Sequence, residues 1–70
     1  MTDIETLHLL RQVEVARRAD HMSREEKERY LRSNRWRRSS GNTWVDRDGR
    51  RFSFGAAVRK QLARDLEAAP

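Results

Sequence analysis

Six arginines, Arg35, Arg37, Arg38, Arg47, Arg50 and Arg51, stand within twenty residues and meet only two acids there, Asp46 and Asp48. Residues 35–54 therefore hold a net +4 of the chain's formal +5. A guanidinium group is a rigid planar fork of donors that matches phosphate oxygens and the guanine edge, so such a cluster points to a polyanion. Arginine outnumbers lysine fourteen to two over the whole chain, a bias that a GC-rich genome also produces by codon usage. The placement of the arginines, interleaved with Trp36, Trp44, Phe52 and Phe54, carries more weight than their number.

Other chemistry finds little footing. His8 and His21 are thirteen residues apart and neither has the spacing of a paired metal motif or a serine poised beside it. Asp46 and Asp48 resemble a carboxylate pair, but turn geometry accounts for both, with magnesium binding a remote second reading. Gly41 and Gly49 are isolated, so no glycine-rich loop cradles a phosphate. With no cysteine there is no disulfide framework, thiolate metal site or cysteine nucleophile. Seventy residues, 36% hydrophobic and 39% charged, leave little core to enclose a reaction pocket. The expectation is a non-enzymatic protein with no cofactor, no metal and no small-molecule substrate. No apolar run approaches membrane-spanning length, and the N-terminus lacks the basic-then-apolar order of a signal peptide, so a cytoplasmic protein without membrane contact is expected.

The elements that must position these groups can be read from capping and periodicity. Thr2 to Ala19 predicts a first helix, with Thr2 and Glu5 as a capping box. Its apolar residues gather on two sides: Leu9, Leu10, Val13 and Ala16 on one, Ile4, Leu7 and Val15 on roughly the other. A helix apolar on two sides has more surface than so small a core can cover. Ile4, Leu7, Leu9, Leu10 and Val13 are accordingly expected to meet a partner protein or a second copy, unless one side packs inward and the other stays exposed. Ser23 and Glu26 form a second capping box for a short helix reaching about Ser33. Glu25 to Arg29 and Glu28 to Arg32 have the favourable four-residue spacing for ion pairs, and Tyr30 and Leu31 face inward.

From Asn34 the pattern turns to strands, at Arg35–Arg38, Thr43–Asp46 and Arg50–Phe54. Ser39-Ser40-Gly41-Asn42 supplies the first turn and Asp46-Arg47-Asp48-Gly49 the second. If Gly49 forms a bulge, Asp46 pairs with Arg50 and Trp44 with Phe52, which puts Trp44, Phe52 and Phe54 on one face. A strict two-residue Asp48-Gly49 loop would move Trp44 to the opposite face, and the bulged form fits better. Gly55 to Ala68 predicts a last helix with Val58, Leu62 and Leu66 as its core stripe. The fold class is α+β: two N-terminal helices, a three-stranded antiparallel meander and a C-terminal helix packed on the sheet. The chain reads as one domain, residues 1–70, in which 23–68 form an αβββα unit and 1–20 a detachable partner or dimer helix.

If Trp36 points inward with Trp44, alternation sends Arg35 and Arg37 to the other face beside Arg51 and Ser53. Arg35, Arg37, Arg47 and Arg51 would then touch phosphates or base edges, flanked by Arg38 and Arg50, with Arg59 and Lys60 extending the basic surface. The competing arrangement has the first helix roofing that face.

Residues 23–68 resemble a double-stranded-RNA-binding domain in element order, although the last helix lacks that family's lysine cluster. Through Leu31, Trp36 and Asp48-Gly49-Arg50-Arg51 the same stretch is similar to the HicA-like mRNA interferase toxins. Their catalytic glycine-serine-histidine segment would fall near Ser39-Ser40-Gly41-Asn42, where no histidine stands, so no catalytic residue transfers. Three strands followed by a helix, with tryptophans and arginines on the sheet, resemble the plant AP2-type and integrase arm-type DNA-binding domains. Leu31, Trp36, Trp44, Asp46, Gly49, Arg50 and Ala57 look like a pattern of short uncharacterised proteins from actinobacteria and their phages, which implies a regulator or host-takeover factor. Together these readings lead to an expected partner, DNA or alternatively RNA, for a small accessory or regulatory protein. The rival expectation is an effector that inhibits a host or defence enzyme through its first helix and arginine-rich sheet.

Overall fold

A computed structural model of the chain describes residues 3–68, with the side chains of residues 3–6 and 8 outside the description. Its elements run α1 (Asp3–Asp20), α2 (Arg24–Ser33), β1 (Arg37–Ser40), β2 (Thr43–Val45), β3 (Arg51–Ser53) and α3 (Phe54–Ala68). The strands form one antiparallel sheet in the order β1-β2-β3, and α3 lies across one of its faces. Both α1 and α2 pack on α3. The α+β architecture is the one the sequence predicts.

The start of α2 follows the predicted capping box. Ser23 Oγ accepts from the Glu26 N–H at 3.1 Å and Glu26 Oε1 accepts from the Ser23 N–H at 3.3 Å. Its end departs from the expected strand. The Trp36 N–H donates to the Leu31 carbonyl at 3.0 Å and the Arg35 N–H to the Arg32 carbonyl at 3.2 Å, while Arg35 takes φ +67°. This paired closure satisfies the last helical carbonyls and folds Trp36 back over Leu31, both of them buried. The unmet carbonyls of the helix end thus take the residues that strand propensity would have claimed, and β1 begins at Arg37.

The strand register is the one set by the glycine bulge. Trp44 pairs with Phe52 and Val45 with Arg51. The Gly49 N–H donates to the Asp46 carbonyl and the Asp46 N–H to the Arg50 carbonyl, both at 3.0 Å, with Gly49 at φ +83°. The third strand is shorter than predicted, because Phe54 already belongs to α3. Ser53 Oγ accepts from the Ala56 N–H at 3.3 Å and so closes the first turn of that helix.

The core consists of Val15, Ala19, Leu31, Trp36, Trp44, Ala57, Val58 and Leu62, with Tyr30, Phe52, Phe54, Ala63 and Leu66 against it. Two of these eight buried side chains are the indoles themselves, so six remain to bury them, and guanidinium groups complete the cover. Arg32 lies 5.4 Å from the Trp44 ring centroid, Arg64 5.7 Å from Trp36 and Arg24 5.6 Å from Phe54. The predicted Glu25–Arg29 and Glu28–Arg32 ion pairs are not formed. Among the described residues the ion pairs are Arg18–Glu14 and Arg64–Asp46.

A polar chain leads from this core to the surface. Trp36 Nε1 donates to Gln61 Oε1 at 2.9 Å, and Gln61 Nε2 donates to Asp65 Oδ1 at 2.8 Å. The Tyr30 hydroxyl donates to the other oxygen of the same carboxylate. Every buried polar side chain in this layer is thereby satisfied.

Helix α1 turns Val15 and Ala19 inward and leaves Leu7, Leu9, Leu10 and Val13 between 55% and 62% exposed. Of the two apolar sides predicted, the one holding Leu9, Leu10 and Val13 is uncovered. Thr2 and the side chains of Ile4 and Glu5, which enter the predicted first capping box and partner surface, lie outside the described residues.

Candidate nucleic-acid interface

Antiparallel pairing places Arg37, Val45 and Arg51 abreast on the sheet face away from α3, with Thr43 and Ser53 in the next row. Arg37, Arg51 and Ser53 are exposed, and Thr43 and Val45 are half-buried. The principal packing partner of α1 is α3, so the opening helix does not roof this face. Two strand spacings of about 4.8 Å separate β1 from β3, which sets the two arginine rows about 10 Å apart.

Arg47 and Arg50 extend the same end of the sheet. Both are exposed in the turn that joins Val45 to Arg51. Arg37 and Arg51 therefore share the open face, and Arg47 and Arg50 stand exposed in the turn at the same end, Arg50 opposite the inward-facing Asp46. None of the four takes part in an ion pair among the described residues.

The acid most able to neutralise this cluster is turned away from it. Asp46 is buried, and its Oδ1 accepts from the Asp48 and Arg50 N–H groups, each at 2.9 Å. Its Oδ2 accepts from Arg64 Nη2 at 3.0 Å. Burial alone would raise the carboxyl pKa, but the Arg50 N–H, the Arg64 guanidinium and the Asp48 N–H outweigh it, and the pKa falls below the ordinary carboxylate value. Asp46 is thus an anion already matched by an arginine from α3. Asp48 is left as the one other carboxylate of residues 35–54.

The remaining predicted contacts are distributed elsewhere. Arg35 occupies the left-handed position after α2 and not the strand row beside Arg37. Arg38 pairs with Trp44, which puts it on the α3 side of the pleat, and its Nε donates to the Gly41 carbonyl at 2.9 Å. Arg59 and Lys60 lie on α3 and line a groove against α1, behind the sheet. Sequence reasoning missed Arg64, whose pairing with Asp46 controls the local charge. Nothing in its position along the sequence distinguishes it from Arg59 and Lys60 on the same helix.

Among the described residues no cluster of His, Asp or Glu has the makings of a metal site, and no helix is long and apolar enough to cross a membrane. Comparison with protein-family models, curated proteins and solved structures returned no match.

Proposed function

We propose that this is a non-enzymatic nucleic-acid-binding protein, an accessory or regulatory factor of the cytoplasm that takes DNA in preference to RNA. The observation that carries the reading is the open end of the sheet, where Arg37 and Arg51 share one face and Arg47 and Arg50 stand exposed in the adjoining turn, while Asp46 is neutralised from behind by Arg64. A sheet about 10 Å across its outer strands is commensurate with the B-form major groove, about 12 Å wide, whereas the A-form major groove of RNA is too narrow to read. Arg37 and Arg51 would meet phosphates or guanine edges, and Arg47 and Arg50 the flanking backbone.

The test is fluorescence anisotropy with a labelled duplex over a range of salt. If four arginines each displace a counterion, affinity falls by about a hundredfold between 50 and 200 mM salt. Arg37→Ala and Arg51→Ala should each flatten the logarithmic salt slope by about one unit. Absence of association with either DNA or RNA at low salt ends this reading.

One observation favours a second reading, a protein-binding effector. Leu9, Leu10 and Val13 form a large exposed apolar patch on α1, unusual for a surface helix with no partner. Function lost in Leu9→Asp and retained in the Arg37→Glu, Arg51→Glu double variant would favour this alternative.

A further inference from the structure

Behind the sheet, α1, α3 and the edge strand β3 enclose a groove of about 550 Å³. Its floor is apolar: Val15 from α1, Phe52 from β3, and Ala56, Ala63 and Leu66 from α3. Phe52, Ala63 and Leu66 are only half-buried, so part of their apolar surface is left facing this space. Three cations stand along the walls, Arg11, Arg59 and Lys60, against the single carboxylate of Glu67, with Gln12 as the other polar neighbour. None of the three cations is in an ion pair among the described residues.

We propose that this groove binds a small amphipathic anion: an alkyl or aryl tail along the Val15–Phe52–Leu66 floor and a single carboxylate held by Arg59, Lys60 and Arg11. The volume lies within the range of about 300–1,000 Å³ common to small-molecule sites, which pair a mostly apolar lining with a few convergent polar groups. Charge complementarity selects the head group, since three cations oppose one acid. The half-buried residues select the tail, because they are the apolar surface that folding leaves uncovered. Binding alone is proposed, and it includes no chemical step. The site therefore goes beyond the sequence expectation of no small-molecule substrate, and it is independent of the nucleic-acid reading.

The experiment uses the full chain and decanoate, with decanol and decylamine as probes carrying the same tail and a neutral or cationic head. Backbone amide NMR shifts locate the binding. Decanoate should saturate, moving amides of Val15, Phe52, Ala63 and their neighbours, and should bind at least tenfold more tightly than decanol. Decylamine should not saturate the site. Octanoate, two methylenes shorter, should bind about tenfold more weakly. Lys60→Glu should reduce decanoate affinity at least tenfold while leaving the circular dichroism spectrum unchanged, and Ala63→Phe should fill the groove and abolish binding. Equal affinity for decanol, shifts confined to the outer sheet face, or no saturation by decanoate would each overturn the proposal. The Arg37→Glu, Arg51→Glu double variant should keep its decanoate affinity, so failure of the groove and failure of the DNA surface are separately visible.

Discussion

Replacing Arg35 by glycine should make the protein more stable, although it deletes one of the six arginines clustered in residues 35–54. Arg35 sits at φ +67°, where its Cβ crowds the backbone. A left-handed conformation costs an L-residue about 1–2 kcal/mol, while glycine adopts it freely. Against this stands the greater freedom of glycine in the unfolded chain, worth about 0.5–1 kcal/mol. The Trp36-to-Leu31 and Arg35-to-Arg32 backbone bonds survive the change, since neither uses the side chain. The net expectation is a gain of about 0.5–1 kcal/mol, or roughly 2–8 °C in Tm for a domain of this size. Arg35→Ala should be near neutral, and Arg35→Val should destabilise, because a branched Cβ fits that backbone worst. Urea denaturation of the three variants, with the m-value checked for constancy, gives the ranking directly. A destabilised glycine variant, or a valine variant as stable as wild type, would refute the assignment of Arg35 to the helix closure. DNA binding by Arg35→Gly should lose less than that of Arg51→Ala, since only the latter stands on the open face.

Gln61→Leu should cost about 1–3 kcal/mol by leaving the buried Trp36 indole N–H without its acceptor, and thermal denaturation would show it. The lowered pKa of Asp46 means its contribution to stability is intact above about pH 4 and is lost as pH falls through the folded value. Asp46→Asn should therefore flatten the acid side of a plot of denaturation midpoint against pH. The Tyr30 hydroxyl is raised well above its ordinary value by burial and then by its bond to Asp65, so its contribution holds below about pH 10 and is lost as pH rises. Phenolate absorbance should appear together with unfolding at high pH, and Tyr30→Phe should remove that coupling.

Local chemistry was legible without coordinates wherever one short segment decided the outcome. Ser23 and Glu26 specify the start of α2 because donor and acceptor lie within one turn. Asp46-Arg47-Asp48-Gly49 specifies a bulged turn, which then sets Trp44 against Phe52 and determines which side chains share a face. Element order, fold class and the opposition of Arg37 and Arg51 to the aromatic face follow from those signals and from alternation. The groove between α1 and α3 was not legible, since it needs three elements distant in sequence to meet.

The division has a physical cause in the arginines themselves. A guanidinium group serves equally as a free cation, a cover for an indole, a partner for a carboxylate or a donor to a backbone carbonyl, and its sequence position does not choose among these. Packing chose: Arg32 went to Trp44, Arg64 to Asp46 and Trp36, Arg38 to Gly41, and Arg35 to the end of α2. Charge, turn chemistry and strand alternation belong to the sequence because they act over a few residues. Which cations stay open to a polyanion depends on what folds against them, and only the tertiary structure decides that.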